Sequence, residues 1–136
     1  MATQYSNVYN VFLNKMSDSG LLAMDVSSRS IVLRRMMVAA CEIFDYVCKE
    51  DLSKRDDTTE EFEDDVSEES INIITELMLV EWLKQKLYKG SLYETAIGTK
   101  DFSIFSPANQ LKEIRETYEL TKQHSKKLII DYSYKS

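Results

Sequence analysis

The sequence predicts an all-α fold: a helical bundle of about four main helices. It adds a long C-terminal helix, an acidic loop between helices two and three, and a short extended segment before the last helix. Three observations carry this reading. Three Gly and one Pro in 136 residues leave little turn chemistry for the many reversals of a β-sandwich. Apolar residues recur three and four positions apart over long stretches, the period of one helix face. Helix start and stop signals flank those stretches. The length fits one domain, 1–136, with the acidic loop at about 49–66 and a C-terminal tail at about 131–136.

In the first segment Tyr5, Val8, Tyr9, Phe12, Leu13 and Met16 form an apolar stripe, with Asn7, Asn10, Asn14 and Lys15 opposite. Ser17-Asp18-Ser19-Gly20 is its expected stop, because Gly permits a left-handed cap. Leu21 and Leu22 are expected to fold back onto the core. Ser27 or Ser28 can cap a second helix running to about Cys48. It is apolar around much of its circumference, which predicts a central place in the bundle. Arg34, Arg35 and Glu42 mark its wet side.

The third helix is expected from near Ser67 to about Leu87, with Val66 and Ile71 spaced as a hydrophobic staple across its cap. Glu68 and Glu69 suit its first turn, and Lys84 and Lys86 its last, by the helix dipole. From Lys89 to Phe105 the pattern breaks into short pieces bracketed by Gly90 and Gly98. Asp101 to Phe105 alternates like a very short strand or extended loop. Ser106-Pro107 then starts the last and longest helix, reaching about Tyr132. Its Leu111, Ile114, Tyr118, Leu128 and Tyr132 fit a three-four repeat that Thr121 and Ser125 complete, a coiled-coil-like seam with a polar middle.

The composition, 43 % hydrophobic and 29 % charged, is that of a water-soluble domain able to fill a core without a disulfide or metal staple. The net charge of −6 is unevenly spread. Nine of the 23 acids lie between Asp56 and Glu69, where no Lys or Arg occurs; the other fourteen face 17 bases, a net of +3. The longest apolar run, Met36 to Cys41, is far short of a bilayer span, so no membrane association is expected, and the N-terminal residues do not read as a secretory signal. Cys41 and Cys48, seven apart, lie on one helix face but too far apart to bond, which suits buried thiols in a reducing compartment.

The residues offer little chemistry. Gly-rich phosphate loops are absent. An EF-hand loop beginning at Asp56 puts Glu61 where Gly belongs and Ser67 where the bidentate Glu belongs. One beginning at Asp57 puts Thr59 at position three and Phe62 at the sharp turn. The acidic run therefore reads as a solvated loop held open by self-repulsion. His124 is the one histidine, so no His pair can bind a metal, and no activated Ser or Cys is paired with it. Lys122, Lys126 and Lys127 make a modest basic stripe that Glu119 and Asp131 offset, too weak for a specific DNA reader. No catalytic residue, cofactor or metal is expected, and the chain does not read as an enzyme. Thr121, His124 and Ser125 on the last helix, with Tyr132 and Tyr134 at its aromatic end, are the candidate protein interface. That chain end is expected to dock either on its own core or on a partner.

Two stretches are Glu76-Leu77-Met78-Leu79-Val80-Glu81-Trp82-Leu83 and Thr99-Lys100-Asp101-Phe102-Ser103-Ile104-Phe105-Ser106-Pro107-Ala108-Asn109-Gln110-Leu111-Lys112-Glu113, and Asp131-Tyr132-Ser133-Tyr134 closes the chain. In this order they resemble small structural proteins of tailed phages, encoded among the head and neck genes. The likeness spans roughly the C-terminal half, with a weaker one from Tyr9 to Leu22. It implies a head–tail connector (neck adaptor) in the virion, assembled in the host cytoplasm. Such subunits form homo-oligomeric rings, commonly twelvefold, beneath the portal protein and meet tail or stopper proteins. DNA passes through the ring without sequence-specific binding. The acidic segment would then face either the channel, where like charge keeps DNA from sticking, or the exterior. Two other readings are another neck or capsid-associated completion protein and a small cytoplasmic helical protein-interaction domain.

Overall fold

The structure, a computed structural model, describes residues 2–16, 25–104 and 107–135, with side chains given outside 89–111. Among the described residues the chain forms helices α1 (Tyr5–Lys15), α2 (Val26–Phe44), α3 (Glu68–Ile104) and α4 (Pro107–Lys135). A small hairpin, β1 (Arg55–Asp56) and β2 (Glu61–Phe62), lies between α2 and α3. The all-α bundle is the fold. Ser17 to Gly20, Leu21, Leu22, Phe105 and Ser106 lie outside the described residues, as do the side chains of Leu111 and Phe102.

The expected stripe of α1 is its buried face: Tyr5, Val8 and Phe12 are inaccessible to solvent, and Tyr9 and Leu13 pack beside them. Helix α2 starts earlier and stops sooner than expected. Asp25, not Ser27 or Ser28, is the cap, its carboxylate accepting the Ser28 N–H at 2.7 Å. The helix ends at Phe44, whose carbonyl accepts from both Val47 and Cys48 at 3.1 Å as the chain leaves. Only one face of α2 is buried, carrying Leu33, Met36, Met37, Ala40, Cys41 and Phe44, while Ile31 and Ile43 face outward. The central helix is therefore α3, against which α1, α2 and α4 all pack.

Helix α3 begins as the sequence indicates. The Ser67 hydroxyl accepts the Ser70 N–H at 3.2 Å, and Val66 and Ile71 are both buried across the cap. Its length departs from expectation. It runs on through Gly90 and Gly98 to Ile104, so Asp101 to Ile104 is helical and not an extended segment, and α3, not α4, is the longest helix. An interior Gly costs a helix about 1 kcal/mol, which by itself does not end one. No Pro occurs before Pro107 to stop it. At about 1.5 Å per residue α3 is roughly 55 Å long. Among the described residues the core cluster draws on its beginning, Ile71 to Trp82. No helix among the described residues is long and apolar enough to cross a membrane.

The acidic segment is not held open by repulsion. It is pinned onto the N-terminal residues as a small lid. In the hairpin Arg55 pairs with Phe62 and Asp56 with Glu61, and Gln4 adds an antiparallel bridge to Glu61. The Phe62 N–H donates to the Thr3 carbonyl at 2.8 Å, and the Tyr5 N–H to the Glu60 carbonyl at 2.9 Å. Leu52, Phe62 and Val66, scattered among the acids, are buried. Several carboxylates accept local donors: Asp57 takes the Tyr5 hydroxyl at 2.7 Å, and Asp56 the Thr58 N–H at 2.8 Å. Asp64 takes the Asp51 N–H at 3.0 Å, and Asp65 the Thr3 hydroxyl at 3.2 Å. Glu60 turns the hairpin at φ 57° and pairs with Arg34 of α2. These hydrogen bonds, together with the buried apolar side chains, outweigh repulsion between exposed acids that water already screens.

Candidate functional site

The candidate residues of α4 separate into an inner and an outer set. Ser125 is buried, and its hydroxyl donates to the Lys122 carbonyl one turn back at 2.8 Å, satisfied within its own helix. A small side chain there lets α4 lie close against α3. Thr121 is half-buried on the same face. His124, one position round, is exposed, and its Nδ1 lies 3.3 Å from Glu76 Oε2 on α3.

Glu76 also meets Lys15 of α1 at 3.1 Å. The Lys15 ammonium donates further to the carbonyl and side-chain oxygen of Asn72, at 2.9 and 2.7 Å. Burial pulls the Lys15 pKa below its ordinary value, while Glu76 works in the other direction. This cluster ties α1, α3 and α4 together from half-buried charges.

The chain end divides between Tyr132 and Tyr134. Tyr132 belongs to the core: its ring stands edge-on to Phe44 of α2 at 5.0 Å, and its hydroxyl accepts the Lys49 N–H at 2.9 Å. Tyr134, two residues on, is 86 % exposed, because a helical step of two places side chains on nearly opposite faces.

The Tyr132 hydroxyl also lies 3.5 Å from Glu50 in the connection after α2. Glu50 is the acceptor at the centre of this corner. It takes the Ser67 N–H at 2.7 Å, the Ser70 hydroxyl at 3.2 Å and the Cys48 thiol at 3.4 Å. The start of α3, the end of α4 and the α2–α3 connection therefore share one carboxylate. Burial pushes the Glu50 pKa up, but the hydrogen bonds, led by the Ser67 N–H, bring it below the usual glutamate value. Burial raises both thiols, Cys41 to about 12, so neither is an activated nucleophile at neutral pH.

The depressed pKa makes Glu50 a source of pH dependence with a definite sign. Its contribution is present above the unfolded-state pKa, about 4.3, and is lost as pH falls through the lower folded value. Glu50→Gln is expected to cost about 2 kcal/mol at pH 7 and to flatten the fall in stability below about pH 5. Urea unfolding of both proteins from pH 7 to pH 3 measures this; parallel curves would refute the assignment.

Sequence reasoning missed Glu50, Glu76 and Lys15, since nothing local distinguishes these from the other charged residues of the chain. Large apolar side chains remain on the outer faces: Ile31, Ile43 and Tyr46 on and just after α2, Tyr88 on α3, and Leu120, Ile130 and Tyr134 on α4. Among the described residues, no three His, Cys, Asp or Glu side chains are grouped to hold a metal ion. No protein-family model matches the chain, and no curated protein or solved structure matches it.

Proposed function

We propose that this chain is a virion structural protein of a tailed phage, a head–tail connector subunit that works by assembly. Copies form a ring between portal and tail, and DNA passes through it without sequence-specific contact. The reading rests on the resemblance of the α3 and α4 stretches and of the aromatic end to small phage neck proteins. The observation that carries it furthest is the distribution of exposed apolar side chains. Ile31 on α2 with Tyr46 just after it, and Leu120 and Ile130 on α4, are two separate sets, each side chain half or more exposed. A ring needs two unlike surfaces on each subunit, because head-to-tail contacts close only when one patch meets a different one. Exposed apolar residues with no partner in their own chain are the usual raw material of such contacts.

Within this proposal Tyr134 and Lys135, at the end of α4, are the portal-facing elements. Tyr132 and Ser125 hold α4 in place, and Thr121 and His124 border α3. Mass photometry of the purified protein, alone and with the portal protein of the same phage, tests the reading. Ring-sized species on the portal are the expected result. A protein that stays monomeric and ignores the portal would overturn it.

A further inference from the structure

The outer face of α2 and the outer face of α4 match one another in spacing and charge. Phe44, at the end of α2, touches Tyr132, near the end of α4, and both helices lie along α3, which starts at that corner. Both therefore end at the same corner of the molecule. In a closed ring every copy keeps the same axial direction, so these two ends stay on the same side of the ring in every copy and a contact between α2 of one copy and α4 of the next is taken as parallel.

A single parallel register aligns the outward residues. An offset of 84 positions sets Arg35 against Glu119 and Glu42 against Lys126. The two charge pairs fall into register together because acid and base are seven residues, about two helical turns, apart on each helix. Their order is opposite on the two helices, base then acid on α2 and acid then base on α4, as attraction in parallel requires. All four are exposed, and none forms an ion pair among the described residues.

The relief of the surface follows the same register. A groove of about 490 Å³ on α4 is lined, among the described residues, by Arg115, Glu116, Glu119 and Leu120. In that register it would face Ile31 and Arg35 of the neighbouring copy, the cation of Arg35 against its acids. A groove of about 480 Å³ is lined by Glu42, Asp45 and Tyr46. In the same register it would face Lys126 and Lys127 of the neighbouring copy, so that its acids meet two cations.

We infer that a second copy of this chain docks here, the outer face of α2 on one copy lying parallel along the outer face of α4 on the next. The inference deepens the connector reading by naming the subunit contact, and it relies on that reading for the shared axial direction. The pairing is heterologous, so each copy keeps one free face of each kind and the contact propagates until it closes.

Reversing charge on one face at a time tests it. One variant carries Arg35→Glu with Glu42→Lys; a second carries Glu119→Lys with Lys126→Glu. Sedimentation velocity follows each alone and mixed in equal amounts, with and without portal protein, and circular dichroism confirms that the helices are retained. Each variant alone is expected to self-associate about a hundredfold more weakly than the unaltered chain, since like charges then oppose across the contact. The mixture is expected to regain assembly, because reversed α2 faces meet reversed α4 faces and the unaltered faces meet each other.

Variants that assemble as well as the unaltered chain, or a mixture that fails to recover, would overturn this contact. Ring formation on the portal in that case would leave the connector reading standing. An unaltered chain that is monomeric both alone and with portal would remove both.

Discussion

Phe62→Ala is expected to lower stability by about 3–5 kcal/mol, although Phe62 lies within the most acidic stretch of the chain. Its ring is inaccessible to solvent and stands edge-on to Tyr5 at 5.3 Å, and its N–H holds the N-terminal residues through Thr3. Removing the ring leaves a cavity between the hairpin and α1 that neighbouring acidic side chains cannot fill. Burial and the hydrogen bond to Asp57 already hold the Tyr5 phenol neutral, with its pKa raised, so opening this corner exposes a second aromatic as well. Urea unfolding measures the loss, and amide exchange at Tyr5 and Phe62 reports whether the lid lifts first. Glu63→Gln, at an exposed position in the same segment, is the control and should shift stability by no more than about 0.5 kcal/mol. A Phe62→Ala loss below about 1 kcal/mol would mean that the segment is not part of the core.

Ending the chain at Ile130 is expected to cost a similar amount, about 3–5 kcal/mol, through loss of the Tyr132 ring alone. The ring fills the space beside Phe44, and its hydroxyl closes the Lys49 N–H and lies beside Glu50. Tyr132→Phe keeps the ring and should cost about 1 kcal/mol, the worth of an ordinary hydrogen bond. Tyr134→Ala should leave stability within about 0.5 kcal/mol, because that side chain projects into solvent. Thermal or urea unfolding of the three proteins orders these effects. A truncated chain as stable as the full one would take the tail out of the core.

The legible parts of the fold were those written in local spacing. The stripe of α1, the Ser67 cap with its Val66–Ile71 staple and Pro107 at the start of α4 need only neighbouring residues to act, and each stands where the sequence puts it. The misread parts depend on partners far away. Gly90, Gly98 and the alternation from Asp101 look like breaks in isolation, yet α3, which packs with α4, passes through all of them. The apolar circumference of α2 suggested a central helix, but α3 takes that place and leaves Ile31 and Ile43 outside. The candidate interface divided on the same principle. Ser125 and Tyr132 turned inward and Tyr134 outward, which helical phase implies only once the face of α4 lying on α3 is known.

What the sequence determined by itself is a helical bundle, because few turn residues and a repeat of three and four leave no other efficient way to bury its apolar side chains. Only the tertiary structure decided how its charge is used. Composition places nine acids in one segment but cannot rank them, since a carboxylate's energy depends on which N–H and O–H groups reach it. Folding brings Thr3, Tyr5 and Arg34 to that segment and Ser67, Ser70 and Tyr132 to Glu50. It thereby turns part of an apparently repelling run into hydrogen-bond acceptors that hold the two ends of the chain against its core.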